Sequence, residues 1–167
     1  MTSENLRAIQ APIKERYRAE PGAAMVTLRA QGDLGEGVTC KVQTGRMLVE
    51  AGLHPASGGT GVNVCSGDML LEALVACSGV TLSAVATALG INVRAGTIKA
   101  EGDLDFRGTL AVSKEVPVGF QSIRLSVELD SDASGEQLDK LLQLTERYCV
   151  VLQTLSRSPG LSVSYAT

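Results

Sequence analysis

The sequence predicts an α+β domain in which a largely antiparallel sheet wraps a long central helix. Three observations carry that class. Residues 66–91, SGDMLLEALVACSGVTLSAVATALGI, form the one stretch long, apolar and uninterrupted enough to centre a core, with no charged side chain from Ala73 to Val93. Apolar and polar residues alternate with period two on both sides of it, which reads as half-buried strands. A second helical pattern, strongly amphipathic, follows Ser134.

In chain order, Leu6, Ile9, Ile13 and Tyr17 recur at helical spacing between Glu4 and Glu20, and Pro12 is expected to end or kink the first turns. Pro21 and Gly22 close this segment, so residues 1–22 read as a helical extension of a single domain spanning 1–167. Three strands are expected next: Val26 to Gln31, Val38 to Gln43, and Arg46 to Ala51. Turn signals at Gly32 to Gly37 and at Thr44 with Gly45 join them into a meander. Cys40 alternates with Val38 and Val42 and reads as core. The stretch His54 to Gly67 is rich in glycine and reads as a loop; it lacks the GxxxxGK[ST] pattern of a phosphate cradle.

Ser66 is expected to cap the central helix, with Asp68 and Glu72 placed against its dipole. Along that helix Ala73, Ala76, Cys77, Val80, Ser83, Ala84 and Thr87 form a stripe of small side chains. Leu71, Leu74, Leu82, Val85 and Leu89 form a bulky one. Both stripes need cover, which six strands of one chain do not supply, so a second subunit is expected on the small stripe. The run is long enough to span a bilayer, which takes about 20 apolar residues. Ser78, Thr81, Ser83, Thr87 and Asn92 dilute it, and no aromatic anchors flank it, so it reads as a buried globular helix with no membrane role.

Beyond the helix, Ile98, Ala100, Gly102, Leu104 and Phe106 alternate with polar residues from Thr97 to Arg107, and Ile123, Leu125, Val127 and Leu129 do so again. These two strands are expected to pair as a long hairpin. Ser134 with Gln137 forms a capping box, and Leu138, Leu141, Leu142, Thr145, Tyr148 and Cys149 share the inner side of the helix it starts. Pro159 and Gly160 then precede a terminal strand of Leu161, Val163 and Tyr165.

Composition narrows the function. Fifteen basic against 18 acidic residues, net charge −3, give no basic field for nucleic acid. Aromatic residues are 3 % with no Trp, which leaves no base-stacking platform. Charges at Glu4, Arg7, Lys14, Glu15, Arg16, Arg18 and Glu20 interrupt any secretory signal and point to the cytoplasm. Cys40, Cys65, Cys77 and Cys149 include no CxxC pair, so neither a disulfide framework nor a zinc ribbon fits. Cys77 and Cys149 stand out as inward-facing thiols on the two core helices, since a dithiol can reduce a substrate and be recovered through a disulfide.

Two segments carry a resemblance. DMLLEALVACSGVTLSAVA resembles the first-cysteine helix, and RYCVVLQTL the second-cysteine segment, of the osmotically inducible protein C and organic hydroperoxide resistance (OsmC/Ohr) family. The element order agrees over nearly the whole chain. The resemblance implies an OsmC-like fold, with an intertwined homodimer whose sheets wrap paired central helices. It further implies a thiol peroxidase for organic hydroperoxides and, less efficiently, hydrogen peroxide. Cys77 would be the peroxidatic thiol and Cys149 the resolving one. No cofactor would be bound, and electrons would return through an external dithiol such as a lipoyl group, or a small thiol.

Burial raises a thiol pKa, so an attacking Cys77 needs a cation or other donors. Members of the family usually use an Arg held by a Glu. Here Gly67 stands where the hydroperoxide-resistance branch has its acid, ten positions before the Cys, and Asp68 occupies the position used by other branches. The GDLGEG turn offers no Arg. Asp68 and Arg46 are the supporting residues expected, with Arg29, Arg147 and His54 as further candidates. Cys65, just before the helix, is an alternative thiol partner. A small-molecule-binding or thiol-sensing protein that keeps the fold without turnover is the main rival reading, and a metal protein using His54 with three cysteines is a second.

Overall fold

The computed structural model describes residues 2–20, 32–34, 39–44 and 47–166. Its elements are helix α1 (Ser3–Ala19), strands β1 (Gly32–Leu34), β2 (Thr39–Thr44), β3 (Met47–Gly52) and β4 (Val64–Cys65), and helix α2 (Ser66–Leu89). Strand β5 (Val93–Asp103), helix α3 (Phe106–Thr109), strand β6 (Ser122–Ser131), and helices α4 (Gly135–Tyr148) and α5 (Val150–Ser156) follow. The α+β class stands, with the strands divided between a sheet ordered β1-β2-β3-β4 and a β5-β6 ribbon. All pairings are antiparallel except β3 with β4.

The central helix starts one residue earlier than its capping chemistry suggested. Cys65 is the N-cap, without a side-chain cap bond, and Ser66 is the first helical residue. At the other end Gly90 adopts φ +69°, a left-handed conformation that costs glycine little, and its N–H closes on Ala86 and Thr87 carbonyls. Leu74, Ser78, Leu82 and Ala86 recur every fourth residue and are the buried side chains of α2. They face α4, β5 and α5. Leu82, Ala86 and Leu141 form the core cluster, flanked by Val85, Ile98, Val127, Leu129 and Leu138. Burying a leucine such as Leu74 or Leu141 is worth about 1.5–3 kcal/mol. The small stripe is open on the single chain: Ala73, Ala76, Val80 and Ser83 are exposed.

The hairpin expected after α2 is present, pairing Ile98 with Val127 and Gly102 with Ile123. It begins at Val93, earlier than the alternation suggested, and β5 ends at Asp103 because Asp105 caps α3 by accepting the Arg107 N–H. The Phe120 ring lies against Gly102 where any Cβ would come within 2.5 Å of it. At α4 the capping box is complete: Ser134 Oγ accepts the Gln137 N–H, and Gln137 Oε1 accepts the Ser134 N–H.

Four other expectations are corrected. Pro12 does not end α1, which runs through it from a Thr2 cap. Residues 26–31 and Arg46 lie outside the described residues, and β1 occupies part of the expected Gly32 to Gly37 turn. The loop from His54 contains a 3-10 turn at Pro55–Ser57 and the short strand β4, whose two residues are too few to show a period. Leu161, Val163 and Tyr165 form no strand; they are 84 %, 99 % and 92 % exposed, because alternation specifies a strand only where an edge accepts it.

Candidate functional site

Cys149 is not on the face of a continuous helix, as its spacing suggested. It sits at the break between α4 and α5, with φ −72° and ψ 108°, as the last cap of one and the first of the other. Its own N–H bonds the Thr145 carbonyl and its carbonyl accepts the Gln153 N–H, so the break is held on both sides. Gln153 Nε2 also donates to the Glu146 carbonyl across it. An extended residue here turns the next amides, those of Val150 and Val151, away from α4 and toward α2.

Those amides meet the sulfur of Cys77. Burial pushes the Cys77 thiol up, but the Val151 N–H, the Cys149 thiol, the Val150 N–H and the Thr81 hydroxyl, all hydrogen-bonded to it, outweigh that, and the net direction is down. Thr81 lies one helical turn beyond Cys77, so α2 itself presents that hydroxyl. Cys149 is fully buried, and its Sγ lies 3.4 Å from Ser78 Oγ. The fold therefore brings together two thiols 72 positions apart in sequence. Both are free thiols, as is Cys65.

Beside them is a cavity of about 180 Å³ lined by Ser78, Thr145 and Cys149 with Leu125, Val127 and Leu152 among its apolar walls. A groove of about 520 Å³ at the far end of α2, between Leu82, Ala86 and Val93, is larger but holds no thiol or ionisable side chain. The arrangement suits nucleophilic sulfur chemistry. A thiolate at Cys77 is favoured by four donors, one of them the second thiol.

The other candidate residues are elsewhere. Asp68 is in the first turn of α2, nine residues and about 13.5 Å along the axis from Cys77, in a groove with Leu71, Glu72 and Val75. Cys65 is farther along the same axis. His54 stacks on Phe106 at 5.0 Å between ring centroids, and its Nδ1 accepts the Ala56 N–H. The Arg147 guanidinium lies over the Tyr148 ring. Arg29 and Arg46 lie outside the described residues, and Cys40 falls in β2. Sequence reasoning missed Ser78, Thr81 and the two amides. The serine and threonine sit among small residues on an apolar helix, and amide donors leave no trace in side-chain identity.

Among the described residues no group of three or more His, Cys, Asp or Glu side chains could hold a metal ion. The chain is thus an α+β domain whose long central helix carries one thiol facing a helix break that holds a second. The model of the OsmC-like protein family matches residues 59–164, and the chain belongs to that family. No curated protein matches the chain. Among solved structures it is similar to an OsmC-like protein from Mycoplasma pneumoniae, with TM-score 0.68, 16 % identity, and 80 % of this chain and 89 % of that one covered. It is also similar to an organic hydroperoxide resistance protein OsmC from Legionella pneumophila, with TM-score 0.62, 16 % identity, and 81 % and 92 % covered. An organic hydroperoxide resistance protein from Bacillus subtilis gives TM-score 0.53 at 18 % identity, with 81 % and 93 % covered. At these identities the likeness is one of fold.

Proposed function

We propose that this protein is a thiol-dependent peroxidase that reduces organic hydroperoxides, and hydrogen peroxide less efficiently, through a Cys77 and Cys149 dithiol-disulfide cycle. The observation that supports the reading is the placement of buried Cys149 at the α4–α5 break facing α2, where Val150, Val151, Thr81 and Cys149 itself favour the Cys77 thiolate. The Cys77 thiolate attacks the peroxide; an S–O bond forms, the O–O bond breaks, and the alkoxide leaves as alcohol on taking a proton. Cys149 then condenses with the sulfenic acid, releasing water and forming the disulfide. An external dithiol, a lipoyl group or a small thiol, returns two electrons by thiol-disulfide exchange. No bound cofactor takes part. Asp68 and Arg46 are proposed as supporting residues for the thiolate.

The working unit in this reading is a cytoplasmic homodimer of single domains, each spanning 1–167 with residues 1–22 as a helical extension. The test is consumption of an alkyl hydroperoxide with a dithiol donor. Wild type is expected to turn over and Cys77→Ser to fall to background with the fold intact by circular dichroism, since a hydroxyl replaces sulfur at similar volume without forming a thiolate. Turnover by Cys77→Ser would refute the assignment. Absence of turnover in the wild type would favour a binding or thiol-sensing protein.

A further inference from the structure

We propose that Ser78 is a positioning residue for disulfide closure: its hydroxyl aims the Cys149 thiol at Cys77 and supports the Cys149 sulfur as it loses its proton. The inference rests on the reading of Cys77 and Cys149 as attacking and resolving thiols.

Ser78 is 1 % exposed and Cys149 fully buried, so neither can turn to water. A buried hydroxyl must find a partner inside the protein. Other hydroxyls on these helices use the carbonyl one turn back: Thr87 bonds Ser83 and Thr145 bonds Leu141, each at 2.8 Å. Ser78 instead bonds the Cys149 sulfur at 3.4 Å. Either atom of the Ser78 and Cys149 pair can donate while both carry their protons. Once Cys149 has lost its proton, the serine hydroxyl is the donor left between them. The residue next to the first thiol therefore holds the second in place.

This contact matters most after the peroxide has reacted. Closure requires Cys149, which borders a cavity walled by Leu125, Val127 and Leu152 with Thr145 and Glu146, to give up its proton and attack the Cys77 sulfur. An S–S bond forms, the S–O bond breaks, and the departing hydroxide takes up a proton to leave as water, balancing the one lost by Cys149. A sulfur anion in such surroundings is costly unless a donor faces it. The Ser78 hydroxyl already faces it.

The experiment separates closure from peroxide attack. Wild type, Ser78→Ala and Ser78→Thr are each mixed with one equivalent of an alkyl hydroperoxide. Quenched samples are mapped for Cys77 sulfenic acid, trapped with a carbon nucleophile, and for the Cys77 to Cys149 disulfide. Ser78→Ala is expected to close roughly tenfold or more slowly, the loss of a hydrogen bond to a developing charge. Its pH profile for closure should move to higher pH, sulfenic acid should accumulate, and Ser78→Thr should restore both. A packing defect alone would move neither the profile nor its rescue by threonine. Closure in Ser78→Ala at the wild-type rate and profile, with wild type forming the disulfide, overturns the role of Ser78 alone. Sulfenic acid at Cys77 of the wild type with no disulfide overturns the resolving role of Cys149, and this proposal with it.

Discussion

Cys77 shows how a partly buried thiol is tuned without a neighbouring charge among the described residues. Its four donors are two backbone amides, a hydroxyl and a second thiol. Because the folded protein holds this thiol below its ordinary value, the folded state favours the thiolate. Its contribution to stability is therefore full above the unfolded value and is lost as pH falls through the folded one. Peptide-resolved alkylation with iodoacetamide is expected to give a midpoint for Cys77 below that of an unfolded thiol, and Thr81→Ala should move it upward. A Cys77 midpoint at or above the unfolded one would remove the basis for its reactivity. Thiol identity and helical spacing were readable from the residues; the donors were not, because amides are silent in sequence and Ser78 and Thr81 look like ordinary small residues of an apolar helix.

Among the elements, helix α4 was the most legible. Its capping box, inner leucines and charged outer face each stated the same helix, and agreement across levels marks a locally consistent sequence. Ser134→Ala is expected to destabilise the protein by about 1 kcal/mol in urea unfolding, because it strands the Gln137 N–H. No change in the unfolding midpoint would show that the cap does not limit stability. The break after Tyr148 was not legible: Arg147 to Leu155 reads as continuous helix by propensity, and only tertiary contact with α2 makes an extended Cys149 worthwhile. The terminal alternation failed for the opposite reason, since its pattern was clear but no described strand edge receives it.

Over the whole molecule, α2 buries the face carrying Leu74, Ser78, Leu82 and Ala86 and leaves the small stripe open. An apolar face of this kind fits the proposed homodimer, and obligate interfaces commonly bury more than about 2,000 Å². Sedimentation at micromolar concentration is expected to show a dimer, and Ala76→Glu, which puts a charge on the stripe, should shift the species toward monomer. A stable folded wild-type monomer would sink the dimer. Overall charge and composition offer no basis for a nucleic-acid partner, and they carry no information about how two such helices would meet.

The order in which the chain is made sets a hazard for that same helix. Leu89 ends α2, yet Leu141, which packs on it in the core, emerges 52 residues later. At about 5–20 residues per second, translation leaves an apolar helix of near membrane-spanning length without its cover for several seconds. During that interval the helix is a target for chaperones, for the bilayer and for other nascent copies, and a ribosome cluster translating one message would place those copies close together.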